Sequence, residues 1–136
     1  MCGYLTFGLT LPPIEDLNAA VLVHTCPNSP REMYAVNRMI LNRVNSSKNP
    51  KIVILLTSPE WKEITPFNYK EYITKAKQSP MWIYAINISM RKNNPDNIRG
   101  NLHYTLIKDS AGKTFINPVV IGNKIFNNGT SYFINK

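Results

Sequence analysis

Apolar residues recur at helical spacing at Ile14, Leu17 and Val21, with His24 about one turn further on. That spacing predicts a helix over residues 13–25. Pro13 suits a first turn, where the N–H it lacks would have no helical partner. Glu15 and Asp16 fall near the positive end of the helix dipole, and Pro27 stops the run. A second helix starts at Pro30, with Asn28 or Ser29 as its cap and Glu32 close behind. Met33, Val36, Ile40, Leu41 and Val44 then share one face, while Arg38, Asn42 and Arg43 fall mostly elsewhere. Asn45-Ser46-Ser47 and Asn49-Pro50 close it with turn chemistry.

The middle of the chain is less decided. Residues 51–57, KIVILLT, read equally as a buried strand or a buried helical turn. Ser58-Pro59-Glu60-Trp61 reads as a turn. Residues 67–77 are helical in pattern, with Tyr69, Ile73 and Ala76 on one side. Residues 81–90 carry no charge and form either a second buried helix or a strand. Residues 92–100 have loop composition. Beyond them, residues 102–107 alternate as a strand does, and Asp109-Ser110-Ala111-Gly112 is a turn. A second β-type run covers 114–126, broken at Asn117-Pro118 and Gly122-Asn123. Asn127-Asn128-Gly129 turns the chain again before residues 131–134, and residues 1–10 read as a strand or a short tail. Helices over the N-terminal two-thirds followed by a small antiparallel sheet make an α+β domain.

Composition narrows the class. With 136 residues, 43% hydrophobic and 18% charged, the chain is expected to form one folded domain over 1–136. It has no apolar run of the roughly 18 residues a membrane span needs, and its start lacks the basic flank of a secretory signal. Cys2 and Cys26 are too few for a disulfide framework. Sixteen Lys and Arg against eight Asp and Glu give a net charge of +8, which favours an anionic partner such as nucleic acid, phospholipid or a wall polymer. The basic residues are scattered, with no run that would make a basic arm. Seventeen asparagines, with abundant Ile and Lys, match coding in an AT-rich genome.

Few constellations carry chemistry. His24 and Cys26 are close, but His103 and Cys2 are the only other residues of their types, and no C-x-x-C exists. Neither a metal nor another cofactor is expected. There is no Gly-rich phosphate loop and no G-x-S-x-G elbow. Met1-Cys2-Gly3 has the layout of class II glutamine amidotransferases without the rest of their signature. Among the carboxylates, Glu32, Glu60 and Glu63 sit beside Met33 or Trp61, the apolar setting that an acid of glycoside cleavage needs. Trp61, Phe67, Tyr69, Tyr72, Trp82, Tyr84 and Tyr104 supply either core or a sugar-stacking cleft, and Trp61 is the best exposed candidate. Interleaved with Lys62 and Lys70, they also suit base stacking, although no nucleic-acid-binding motif accompanies them.

Two segments point to a family. One is the run from Asp16 to His24 followed, after a short loop, by Tyr34-Ala35-Val36-Asn37-Arg38-Met39-Ile40-Leu41-Asn42-Arg43-Val44. The other is Asn117-Pro118-Val119-Val120-Ile121-Gly122-Asn123-Lys124-Ile125-Phe126, preceded by Leu102-His103-Tyr104. Together they resemble the SleB/CwlJ-type cell wall hydrolases, a spore-cortex-lytic group also common in bacteriophages, over roughly residues 11–126. The resemblance implies a lysozyme-like cleft and a peptidoglycan substrate. It further implies cleavage between N-acetylmuramic acid and N-acetylglucosamine, leaving an anhydromuramyl end. One acid/base carboxyl serves that chemistry, because the sugar's own hydroxyl closes on the anomeric carbon. The family places its glutamate just after the first helix, within a stretch resembling H-A-E-A-R-G-E. This chain reads His24-Thr25-Cys26-Pro27-Asn28-Ser29 there, so Cys26 stands where the glutamate is expected. The family's His in Ile-Gly-Asn-His is Lys124 here.

A thiol, with its weak donor and an unperturbed pKa near 8.5, does not replace a carboxylic acid. Either the shortened loop brings Glu32 into the vacant role, or hydrolysis is lost and the fold serves as a wall-binding or virion structural module. Asn42 and Arg43 are expected to fix the loop that follows their helix. Gly122 allows a sharp bend, and Asn123 tolerates left-handed backbone. Trp61, Glu60, Tyr104 and Asn123 are the expected substrate contacts. The implied setting is a phage endolysin waiting in the host cytoplasm, or a virion component among other virion proteins.

Overall fold

The structure is a computed structural model that describes residues 13–58, 61–64, 68–91 and 94–130. Expectations for the first ten residues, Cys2, Pro59, Glu60, Phe67 and residues 131–134 lie outside the described residues. Five helices precede a three-stranded sheet, the α+β arrangement expected from the pattern.

Helix α1 (Ile14–Thr25) starts after Pro13, and the Cys26 N–H closes it on Leu22 O at 2.9 Å. It is not the one-faced helix its spacing suggests. Every residue from Leu17 to Val23 is buried, because α1 is wrapped by the other helices. Helix α2 (Pro30–Val44) has Pro at its first position, and the Ser29 hydroxyl accepts from Glu32 N at 3.2 Å. Met33, Val36, Met39 and Ile40 of α2 are fully buried against α1.

Both undecided runs are helical. KIVILLT lies in α3 (Pro50–Thr57), capped by the Asn49 side chain, and residues 82–90 form α5 (Trp82–Met90). Between them come a 3-10 turn over Trp61–Glu63 and helix α4 (Tyr69–Lys77), which buries Tyr69, Tyr72, Ile73 and Ala76. Helices α3, α4 and α5 all pack on α1, so an apolar run here meets a curved helical surface with no strand edge beside it. A buried polar junction ties three helices together: Asn18 of α1 donates to Asn37 Oδ1 of α2 and to Ser89 Oγ of α5, each at 2.8 Å. Among the described residues no helix is long and apolar enough to cross a membrane.

The sheet holds β1 (His103–Leu106), β2 (Val119–Ile121) and β3 (Lys124–Asn127) in the order β1-β3-β2, all antiparallel. Its middle strand is therefore the last one. Gly122 at φ +63° and Asn123 make the two-residue turn between β2 and β3, with Ile121 opposite Lys124. The left-handed non-glycine positions among the described residues are Arg99 and Asn117, so Asn123 is not the one expected. At Asn117 the strained backbone is held by its side chain, which donates to Arg99 O and Asn101 Oδ1, both at 3.0 Å. Phe126 is fully buried, and its ring meets Tyr104 at a centroid distance of 5.9 Å.

Candidate active site

The site forms where the first turn of α2 meets the β2–β3 turn. Ser29 starts the helix, and three residues later Glu32 leaves it toward the sheet. Its Oε1 accepts from Lys124 Nζ at 2.6 Å, and its Oε2 accepts from the Asn123 backbone N–H at 3.3 Å. The Asn123 Oδ1 takes a second hydrogen bond from Lys124 Nζ at 3.2 Å. Gly122 makes this approach possible, since a Cβ built there would overlap the Glu32 carboxylate. The glycine thus serves both a positive φ and a close contact.

Lys124 is buried, with its side chain 4% exposed, while that of Glu32 is 14% exposed. A charge at that depth needs a partner, and the carboxylate supplies it. The ammonium also lies 5.4 Å from the Tyr104 ring centroid, within cation–π range. Strand register explains the grouping. Tyr104 pairs with Phe126 and Leu106 pairs with Lys124, so all four share the sheet face that looks at the helices.

Cys26 completes the cluster. It follows α1 directly, is 3% exposed, and feels the charges of both Lys124 and Glu32. Burial pushes its thiol up to about 12, opposed by Lys124 and reinforced by Glu32. The thiol therefore stays protonated at neutral pH and is not an activated nucleophile. Burial, and next the neighbouring Cys26, raise the Tyr104 phenol above its ordinary value.

Behind this cluster, Arg43 donates from Nε to Leu102 O and from Nη1 to Thr57 Oγ1 at 3.2 Å. Asn42 Nδ2 reaches Asn101 O at 3.2 Å. These two residues fix the entry to β1, far along the chain, and not the loop after their own helix. Burial pulls the Arg43 guanidinium below its ordinary value. His103 is lowered as well, by burial and then by the charge of Arg43.

Of the expected residues, the structure brings Glu32, Cys26, Tyr104 and Asn123 together. Trp61 is 43% exposed, as expected, and the Lys62 ammonium lies 5.5 Å from its ring centroid. Glu63 lies exposed in the same 3-10 turn, and Glu60 falls outside the described residues. Tyr69 and Tyr72 are core, with Tyr72 stacked on His24 at 4.1 Å. Sequence reasoning missed Lys124 as the partner of Glu32. The signal was present, since the Gly122-Asn123 turn sets Lys124 at the start of a strand whose alternate residue, Phe126, is apolar. No group of three or more His, Cys, Asp or Glu suited to a metal occurs among the described residues. Comparison with protein families, curated proteins and solved structures finds no match to this chain.

Proposed function

We propose that this chain is a peptidoglycan-directed protein of the SleB/CwlJ type that cleaves the glycan between N-acetylmuramic acid and N-acetylglucosamine, with Glu32 as its acid/base group. The carrying observation is the contact of the Glu32 carboxylate with the Gly122-Asn123-Lys124 turn. That turn belongs to the segment where the resemblance is densest. Glu32 thereby reaches the neighbourhood of Cys26, where the family pattern places its glutamate. In the proposed reaction the proton shared in the Lys124–Glu32 pair passes through the Glu32 carboxyl to the leaving glycosidic oxygen. The carboxylate then accepts one from the sugar hydroxyl that closes on the anomeric carbon. Lys124 and the Asn123 N–H orient the carboxylate. The charge of +8 assists approach to an anionic wall.

A second reading has its own observation. Both oxygens of Glu32 are already bonded within the protein, and the ion pair joins helix to sheet. In that reading the pair is a structural clamp, and the fold binds the wall or other virion proteins without cutting.

A muropeptide digest separates the two. Wild type and Glu32→Gln are incubated with Gram-negative and Gram-positive peptidoglycan, and soluble products are weighed by mass spectrometry. Circular dichroism establishes that both are folded. The enzyme reading expects anhydromuramyl fragments from wild type and at least a hundredfold fewer from the variant. Equal activity in both removes Glu32 from the role. No fragments from either, with both retained on the wall, favours the clamp.

A further inference from the structure

Beside the Glu32 cluster lies a groove of about 250 Å³ lined by Pro30, Arg31, Tyr34, Tyr84, Asn97 and Ile121. It shares both walls with the site. Arg31 and Pro30 precede Glu32 on α2, and Ile121 directly precedes Gly122. Two aromatic side chains of the lining are tethered through their hydroxyls. The Tyr34 hydroxyl donates to Pro95 O at 2.9 Å, and the Tyr84 hydroxyl reaches Pro30 O at 3.4 Å. Both rings are half-buried, and Tyr84 packs on the core. Rings tethered in this way lose little freedom on receiving a flat apolar surface such as one side of a sugar ring.

Arg31 gives the groove its chemistry. It is exposed, and no carboxylate among the described residues pairs with it. Glu32, its neighbour, is committed to Lys124. A guanidinium left in this state, at the mouth of an aromatic groove, matches a carboxylate attached to a sugar-sized body. Asn97 adds an exposed amide suited to an acyl group or hydroxyl.

We propose that this groove is a binding subsite for an acidic amino sugar: Tyr34 and Tyr84 take the ring, and Arg31 takes the carboxylate of its peptide substituent. The subsite rests on the peptidoglycan reading, and it names the part of that substrate held next to Glu32. It moves sugar recognition from Trp61 to the two tyrosines.

The test uses the full chain and two soluble probes. Muramyl dipeptide carries the carboxylate, and chitotetraose is a neutral amino sugar. Binding is followed by NMR shift titration at low salt, with Glu32→Gln included so that recognition is read apart from cutting. Wild type and Glu32→Gln should both bind muramyl dipeptide. Arg31→Gln should weaken it about five- to tenfold and leave chitotetraose unchanged. Tyr84→Ala should weaken both probes. Raising the salt should erase the preference for the acidic probe in wild type.

Muramyl dipeptide binding that is indifferent to Arg31→Gln and Tyr84→Ala overturns the subsite while leaving the hydrolase reading intact. Failure of both probes to bind a wild type that still cuts peptidoglycan overturns it as well. If neither probe binds and the wall is neither cut nor retained, the peptidoglycan reading falls with it. Should Tyr84→Ala not fold, the Arg31→Gln comparison between the two probes decides alone.

Discussion

Glu32 is held at both oxygens, and the residue that permits this has no side chain. Gly122 sits at φ +63°, and a methyl group there would run into the Glu32 carboxylate. Two costs therefore add in Gly122→Ala. The left-handed backbone costs about 1–2 kcal/mol for a residue with a Cβ, and displacement of Glu32 weakens its bond to Lys124. Removing the carboxylate first, in Glu32→Ala, should abolish the second cost. Urea denaturation of the two single variants and the double variant is expected to show a coupling of about 1 kcal/mol, the double being less destabilised than the sum. Strict additivity would mean that the contact carries no energy.

The asparagines are also legible only residue by residue. A composition shaped by an AT-rich genome says nothing of their use. Here Asn18, Asn37, Asn101 and Asn127 are buried. Asn101 Nδ2 donates to Asn117 O at 2.7 Å, fixing the turn that leads into β2.

At the scale of elements, the helix starts were readable because capping is local. Pro30 at a first turn, a hydroxyl just before it and an acidic residue in that turn are all written within four consecutive positions. Ser29→Ala should cost about 1 kcal/mol of stability, measured as a lower urea midpoint with an unchanged slope. Because the Ser29 hydroxyl accepts from the Glu32 N–H itself, the same variant loosens the turn that carries the carboxylate. Under the proposed hydrolase role, glycan cutting by this variant is expected to fall more than its stability alone explains. For α3 the same signal, Asn49 before Pro50, reads as the turn that closes α2, and α5 has no side-chain cap. Period cannot separate a short buried helix from a buried strand, and the choice fell to the surface they pack on. The order of the sheet was hidden for a related reason. β1 could pair with β2 or with β3, and a hairpin closed by Gly122 leaves both options open.

At the scale of the molecule, the buried thiol links the site to stability. Cys26 has its folded-state pKa raised from 9.0 to about 12, mainly by burial. A group raised on folding contributes stability in full below its unfolded value, and that contribution fades as pH rises through the folded value. The protein should therefore hold its melting temperature up to about pH 9 and lose it progressively toward pH 12. Cys26→Ala, which removes the titration and fills nearly the same volume, should flatten that decline. Native Cys26 should also resist a thiol reagent at pH 8 that reacts readily in denaturant. Rapid labelling of Cys26 in the folded protein, located by peptide mapping, would contradict its burial.

The sequence by itself determined the class of the fold, the bounds of α1 and α2, the presence and end of α4, and the tight turn at Gly122-Asn123. These follow from period, capping and turn chemistry, all of which act within a few residues. It also singled out Glu32, Cys26, Tyr104 and Asn123. Only the tertiary structure decided that α1 is enclosed on every side, that β3 lies centrally, and that Lys124 meets Glu32 across 92 residues of chain. It also decided that Tyr34 and Tyr84 flank a groove. Those outcomes depend on which surfaces meet, and the pairing of distant surfaces is an energy of the packed molecule that no local pattern contains.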